Sequence, residues 1–139
     1  ELRIPTKESE GKANLHLGAI GVGIDMNTGT TTHAVHHDRA ISYVPGSRLV
    51  LRGIKIPEWK NILELAIRAQ HAVGSQFVGA DISIDRDRGP IILELNARPG
   101  LSIQIANMAP RRYRLERVRG LEVESIKKGV KIAQHLFGG

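Results

Sequence analysis

The strongest constraint on the fold comes from two short segments, residues 79–84 and 91–96, in which apolar and polar side chains alternate. A period of two is typical of β-strands, and the polar residues 85–90 between the segments are typical of a turn. We therefore predict an antiparallel hairpin with a six-residue turn. Its register pairs apolar residues on one face, namely Ile84 with Ile91 and Ile82 with Leu93.

The other face of the predicted hairpin is acidic. The same register places Asp81 directly opposite Glu94, and two like charges across a ladder repel each other unless something compensates them. A bound cation is the simplest compensation. The alternative is an ordinary surface ion pair with an arginine, either Arg86 or Arg98, and the sequence alone leaves both interpretations open.

A third oxygen ligand accompanies the two carboxylates in this register. Asn96 shares their face and stands opposite Gly79, whose missing side chain would leave room for a ligand. Asp81, Glu94 and Asn96 offer oxygen atoms only, which is the ligand set of Mg²⁺ or Mn²⁺ rather than of zinc. The pattern therefore predicts a hard-cation site on one face of the hairpin.

The motif around this hairpin resembles a known family. Residues 94–101, together with the Gly-Pro pair at 89–90 and the upstream Asp81, resemble the metal-binding end of the ATP-grasp ligases. Residues 12–18 resemble the segment before the central hairpin in the alpha-L-glutamate ligase branch of that superfamily, which includes enzymes that modify ribosomal proteins. The resemblance extends over residues 3–108, which is most of the chain.

This resemblance implies an ATP-dependent carboxylate-amine ligase, with ATP and Mg²⁺ or Mn²⁺ as cofactors. In such enzymes a carboxylate attacks the γ-phosphate of ATP, an acyl phosphate forms, and an amine displaces phosphate to give an amide. The family pattern implies that Asp81, Glu94 and Asn96 hold the metal ions that bridge the phosphates. The family pattern also implies that Arg3, Lys12 and Asn14 lie near the phosphates. Of these, Arg3 and Asn14 are the candidate catalytic residues.

The remaining segments predict an α+β fold, with a mostly antiparallel sheet and helices packed on one face, as in the C-terminal half of an ATP-grasp fold. Pro57 is typical of a helix start and Gly74 of a helix end. Gly21 and Gly23 leave backbone space for a ligand or a neighbouring element. The predicted strands are residues 2–4, 15–24, 30–37, 41–44, 77–84 and 91–96, and the predicted helices are residues 57–73, 103–108 and 123–137.

Basic residues are concentrated at the end of the chain. The sequence has 20 Lys and Arg against 14 Asp and Glu, a net charge of +6. We therefore divide the chain into residues 1–110, a C-terminal ATP-grasp subdomain, and residues 111–139, a basic segment with a closing helix. The alternative function is a non-catalytic interaction module that binds an acidic or nucleic-acid partner through this segment. Nucleic acid is disfavoured, because Tyr113 is the only aromatic residue among residues 111–119.

Composition excludes several other classes of protein. No apolar run approaches the roughly 20 residues that a membrane helix needs, so a membrane partner is not expected. The chain has no cysteine, which removes disulfides, thiol nucleophiles and cysteine-ligated metals and is typical of a cytoplasmic protein. His36 and His37 would point to opposite faces of a strand, so together with His16 and His33 they do not predict a zinc site.

The ATP-grasp pattern is present only in part. The grasp of this superfamily needs two subdomains, and the sequence shows neither a leading domain nor the strand lysines and glycine-rich lid that cover the nucleotide. It also begins at Glu1, without an initiator methionine. We therefore expect a piece of a longer chain, which alone would catalyse little and whose uncovered face would favour self-association into homo-oligomers. The carboxylate and amine substrates stay unidentified, although the resemblance suggests glutamate added to a protein or a small acceptor.

Overall fold

The computed structural model describes residues 1–75, 77–100 and 103–138 of the chain. Within these ranges the strands are β1 (Leu2–Ile4), β2 (Ile20–Ile24), β3 (Thr31–His36), β4 (Arg39–Ile41), β5 (Gly79–Asp85) and β6 (Gly89–Asn96). The helices are α1 (Trp59–Val73), α2 (Ile103–Ala106), α3 (Arg111–Val118) and α4 (Ile126–Phe137). The predicted α+β class is confirmed. Among the described helices, none has the length and apolar character that crossing a bilayer requires.

Four strands form one antiparallel sheet in the order β1-β2-β3-β4. Its strand β2 is buried, and Ile20 and Val22 have no exposed surface. They form the core with Ala34 of β3 and with Leu51, which follows β4. Burial of an aliphatic side chain of this size stabilises the fold by about 1.5–3 kcal/mol. The core thus fixes the neighbouring strand β1, which carries Arg3.

The strand β2 is shorter than predicted. It begins at Ile20, because residues 15–17 form a 3₁₀ turn instead of a strand. The side chain of Asn14 caps this turn by accepting a hydrogen bond from the backbone N–H of His16 at 2.9 Å. Gly18 then ends the turn in the left-handed conformation, with φ 92°.

The strands β3 and β4 form a tight hairpin, and the connection between them is shorter than the predicted residues 38–40. His37 and Asp38 both have left-handed backbone angles, with φ 48° and 58°. They form the turn between His36 and Arg39, which pair with each other. Two successive left-handed residues are typical of the type I′ hairpin turn. The strand β4 therefore begins at Arg39 and not at residue 41.

The strands β5 and β6 form a separate two-stranded sheet, so the antiparallel pairing is divided between two sheets. Their register is as predicted at the end that carries the carboxylates. Asp81 pairs with Glu94, and Gly79 pairs with Asn96. The helix α1 packs against both strands and covers this hairpin.

The register changes by one residue directly after the carboxylate pair. Leu93 is the extra residue of a β-bulge, and it is 67% exposed. The predicted partners of Ile82 and Ile84 are therefore wrong by one residue. The observed pairs beyond the bulge are Ile82 with Ile92, Ser83 with Ile91 and Ile84 with Pro90.

The length of the turn explains this shift. β5 continues to Asp85 and β6 begins at Gly89, so residues 86–88 form the turn instead of the six residues predicted. The carboxylate of Asp85 accepts hydrogen bonds from the backbone N–H groups of Asp87 and Arg88 at 2.9 and 3.0 Å. The pairing next to this turn therefore differs by one residue from the pairing at the carboxylate end. The extra residue in the bulge, Leu93, connects the two registers.

The predicted helix after Pro57 is confirmed as α1. It begins at Trp59, and it ends before Gly74, which is left-handed with φ 64°. The indole N–H of Trp59 donates a hydrogen bond to the backbone oxygen of Met26 at 2.8 Å. The start of α1 is therefore attached to the turn between β2 and β3.

The closing helix α4 packs on α1. It begins at Ile126 rather than at residue 123, because Ser125 caps it by accepting a hydrogen bond from the N–H of Lys128 at 3.3 Å. A Cβ atom at Gly129 would lie 3.2 Å from Cδ1 of Ile67 in α1. The small residue therefore lets the two helices approach closely.

The basic segment contains a helix, α3, that was not predicted. The guanidinium of Arg111 lies 4.1 Å from the centre of the Phe77 ring, and that of Arg114 lies 5.7 Å from the Phe137 ring. Burial lowers the pKa of the Arg114 guanidinium below its ordinary value. Two of the arginines therefore stack on aromatic rings of the same chain.

The helix α2 packs against β2 where β2 has glycines. A Cβ atom at Gly23 would lie 2.4 Å from the backbone oxygen of Ala106. The side-chain oxygen of Asn107 accepts a hydrogen bond from the N–H of Ile24 at 3.3 Å. A neighbouring element, and not a ligand, therefore occupies the space beside Gly23.

We expect Gly23→Ala to lower the free energy of unfolding by about 1–3 kcal/mol, because the backbone of α2 must move to admit the methyl group. Urea unfolding measures this change. Gly21→Ala is the matched control, because the atoms nearest to a Cβ at Gly21 would be side-chain atoms of Leu15 and Ala106, at 3.3 and 3.4 Å. Equal losses in the two variants would contradict the close approach of α2 to β2.

Candidate functional site

Arg3 and Asp81 form an ion pair that joins the two sheets. Nη1 of Arg3 lies 3.9 Å from Oδ1 of Asp81, and the two side chains are 33% and 39% exposed. Nε of Arg3 donates a hydrogen bond to Oε1 of Glu1 at 2.8 Å. A partly exposed pair at this distance contributes less than about 1 kcal/mol to stability, so its importance is its position. It brings a predicted phosphate ligand beside a predicted metal ligand.

The three predicted metal ligands occupy one end of the hairpin. Asp81 and Glu94 are directly opposite each other, and Asn96 is two residues further along β6. In an antiparallel pair, opposed side chains share a face, with Cβ atoms about 4.5–5.5 Å apart. Glu94 is exposed, whereas Asn96 is partly buried. The cation beside Asp81 is Arg3, whereas Arg86 or Arg98 was the predicted partner.

The space above Gly79 is filled, which corrects the prediction that it leaves room for a ligand. A Cβ atom at Gly79 would lie 2.6 Å from Cβ of Pro99 and 3.7 Å from Cβ of Asn96. The chain therefore turns back over β5 after β6 ends. Gly79 lets Pro99 approach the hairpin, and a ligand of the carboxylates would approach from elsewhere.

Lys12 and Asn14, the other predicted phosphate ligands, lie on the loop between β1 and β2. Nζ of Lys12 is 3.5 Å from a carboxylate oxygen of Glu10, and its side chain is 62% exposed. Asn14 is exposed and caps the 3₁₀ turn through its side-chain oxygen. The contacts of both residues are thus within their own loop, whereas Arg3 contacts the hairpin.

An open cavity lies beside the segment that follows the hairpin. Its volume is about 760 Å³, which is within the roughly 300–1,000 Å³ typical of small-molecule sites. The residues that line it come from the β1–β2 loop, from β3 and its turn, and from the segment around α2, and they are Leu15, His16, Ala19, Val35, His37, Asp38, Gly100 and Ile105. No sequence pattern indicates this cavity, because the residues that line it are far apart in the sequence.

His36 and His37 lie on the same side of the molecule, which corrects the prediction that they could not face one ion. Their ring centres are 4.2 Å apart, and their Nε2 atoms are 3.6 and 2.9 Å from Oε2 of Glu8. Alternation of side chains ends at this point, because His36 is the last residue of β3 and His37 is left-handed. The hydrogen bond from His37 lowers the pKa of the Glu8 carboxyl. Asp38, a residue common in tight turns, was the one sequence signal for this geometry.

The comparisons with known proteins identify a family. Residues 1–120 of the chain match the profile of the family described as sugar-transfer associated ATP-grasp. No curated protein and no solved structure shows significant similarity to the chain.

Proposed function

Because the chain belongs to the sugar-transfer associated ATP-grasp family, whose fold is that of ATP-dependent, ligase-type enzymes, we propose that it forms the metal- and phosphate-binding part of a carboxylate-amine ligase. One observation carries the proposal. Asp81 stands opposite Glu94 beside Asn96, and the guanidinium of Arg3 is 3.9 Å from Asp81. Carboxylate oxygens and a guanidinium are the groups that position a metal-bound nucleotide phosphate.

The ligand set fits a hard divalent ion. Asp81, Glu94 and Asn96 would hold Mg²⁺ or Mn²⁺ through oxygen atoms. When bound, such an ion neutralises negative charge on the phosphates as the phosphoryl group moves. The side chain of Asp81 is 39% exposed and Glu94 is exposed, so water and phosphate oxygens have access to the rest of the ion's coordination sphere.

Arg3 complements the carboxylates with positive charge. Its Nε is engaged by Glu1 at 2.8 Å, which fixes the plane of the guanidinium. Its Nη1 is 3.9 Å from Asp81, too far for a direct hydrogen bond. The terminal N–H groups therefore remain able to donate to phosphate oxygens and to the acyl phosphate. We assign weaker, supporting contacts with the phosphates to Lys12 and Asn14 on the adjacent loop.

The reaction that we propose is amide formation. The carboxylate of one substrate takes the γ-phosphoryl group of ATP, which releases ADP, and the amine of the second substrate then displaces phosphate. Glutamate is the first amino acid to test, because residues 12–18 resemble the alpha-L-glutamate ligase branch. The matched family is described as sugar-transfer associated, so we also propose to test sugar derivatives that carry an amine or a carboxylate.

Trapping with hydroxylamine tests the proposal in the natural polypeptide that contains this chain. Hydroxylamine replaces the amine and converts an acyl phosphate into a hydroxamate. With the carboxylate that is the true substrate, ATP and Mg²⁺ should give equal amounts of hydroxamate and ADP. Neither product should form when ATP or Mg²⁺ is left out. ATP hydrolysis that no carboxylate or amine stimulates would contradict the proposal.

The interaction-module alternative is not favoured. It requires the arginines of residues 111–119 to face a partner, whereas Arg111 and Arg114 stack on Phe77 and Phe137. The family match also covers this helix, since it extends to residue 120.

A further inference from the structure

A second group of ligand atoms lies outside the carboxylate hairpin. Glu8, His36 and His37 each offer one ligand atom, and these atoms lie within 4.8 Å of one another. Ligand atoms about 2.0–2.1 Å from a tetrahedral zinc ion are roughly 3.3 Å apart. We propose that Glu8, His36 and His37 bind a divalent transition-metal ion, and that this ion is Zn²⁺.

Two separate segments hold the three ligands together. His36 and His37 come from the end of β3 and its type I′ turn, whereas Glu8 comes from the loop between β1 and β2. That loop is ordered by Ser9, which is buried and exchanges hydrogen bonds with Thr6 at 2.9 and 3.1 Å. An ion at this site would therefore connect the loop to the end of β3 and its turn.

Gly18 forms the floor of the site. A Cβ atom there would lie 2.8 Å from Cδ of Glu8, so the carboxylate packs directly on the glycine. The backbone oxygen of Gly18 is 3.0 Å from Nε2 of His36. Binding of an ion through this nitrogen would replace that hydrogen bond with a metal bond.

The donor atoms distinguish this site from the hairpin. Two imidazole nitrogens and one carboxylate oxygen favour zinc, cobalt or nickel over magnesium. Three protein ligands leave a fourth position open, as in catalytic zinc sites. His37 also lines the cavity of about 760 Å³, so the ion would stand at the edge of that cavity. This second metal, of a different class, is independent of the proposed ligase chemistry.

Metal titration of the protein, without an affinity tag, tests the site. We expect Zn²⁺ to bind with one-to-one stoichiometry against a chromophoric chelator, and Co²⁺ to give the visible absorption of a four-coordinate site. Excess Mg²⁺ should displace neither ion. Glu8→Gln and His37→Gln should weaken Zn²⁺ binding at least about tenfold, because each variant removes one of three ligands.

His33→Gln and His71→Gln are the matched controls, because both residues are exposed histidines outside the cluster. They should leave the affinity for Zn²⁺ unchanged. The amide introduced by Glu8→Gln retains an oxygen that can accept the hydrogen bond from His37, so circular dichroism should show that this variant is folded. If the wild-type protein binds no Zn²⁺, or if the controls lose as much affinity as the ligand variants, the proposal is overturned.

Discussion

Asp81→Asn should lower kcat/KM for ATP-dependent amide formation by about 100- to 1,000-fold, because a metal ion supplies several kcal/mol of charge stabilisation and about 1.4 kcal/mol is tenfold in rate. Asparagine keeps the shape of the side chain but loses the charge that holds the ion. Fold stability should barely change, since the ion pair with Arg3 is long, at 3.9 Å, and partly exposed. Steady-state rates over a range of Mg²⁺ concentrations measure the loss, and thermal unfolding measures the stability.

Glu94→Gln and the double variant sharpen this experiment. If Asp81 and Glu94 hold the same ions, their effects are not additive, and the double variant should be only slightly slower than Asp81→Asn. Asp87→Asn removes the same charge from the turn of the same hairpin, where the backbone N–H of Asp87, and not its carboxylate, bonds to Asp85. It should leave the rate unchanged. If Asp87→Asn lowers kcat/KM as much as Asp81→Asn does, the effect is one of net charge and does not support a metal site at Asp81.

Arg3→Gln should lower kcat by about 100-fold, the size of effect seen when a donor to developing negative charge is removed. The affinity for the metal ion should rise in this variant, although kcat falls. Removing a positive charge 3.9 Å from Asp81 should tighten Mn²⁺ binding, whereas Asp81→Asn should weaken it. Manganese titration followed by electron paramagnetic resonance measures the affinity for Mn²⁺ in Arg3→Gln and in Asp81→Asn.

Two further arginine variants serve as comparisons for Arg3. Arg3→Lys keeps the charge but loses both the planar fork and the Nε bond to Glu1, so it should recover only part of the rate. Arg86→Gln alters the arginine that the sequence offered as a partner of the carboxylates, and it should behave like the wild-type protein. Weaker Mn²⁺ binding in Arg3→Gln would contradict the assignment of Arg3 to the phosphates.

The sequence predicted the hairpin well at one end and poorly at the other. The register that a six-residue turn sets, with apolar residues paired on one face, places Asp81 opposite Glu94 and Gly79 opposite Asn96, and both pairs are observed. The same register is wrong by one residue between Leu93 and the turn, because Asp85 closes the turn with its own carboxylate and leaves three residues in it. The alternation of apolar and polar residues does not reveal the change of register, since the alternation continues on both sides of a bulge.

Backbone conformation explains the missed histidine cluster. The rule that neighbouring side chains point to opposite faces holds within a strand, but His37 is left-handed, with φ 48°, and lies outside β3. Glu8 joins the pair from a different part of the sequence, so no local pattern could reveal it. The helix α3 was missed for a related reason: its arginines resembled a solvated charge run, and their aromatic partners, Phe77 and Phe137, lie in other segments.

The extra residue at Leu93 separates the hairpin into two independently specified parts. We expect insertion or deletion of one residue among residues 86–88 to change the pairing between the turn and Leu93, whereas Asp81 should still pair with Glu94. The tip can therefore vary in length without disturbing the acidic end. The β-bulge at Leu93 should therefore keep Asp81 and Glu94 in place when the length of the turn changes.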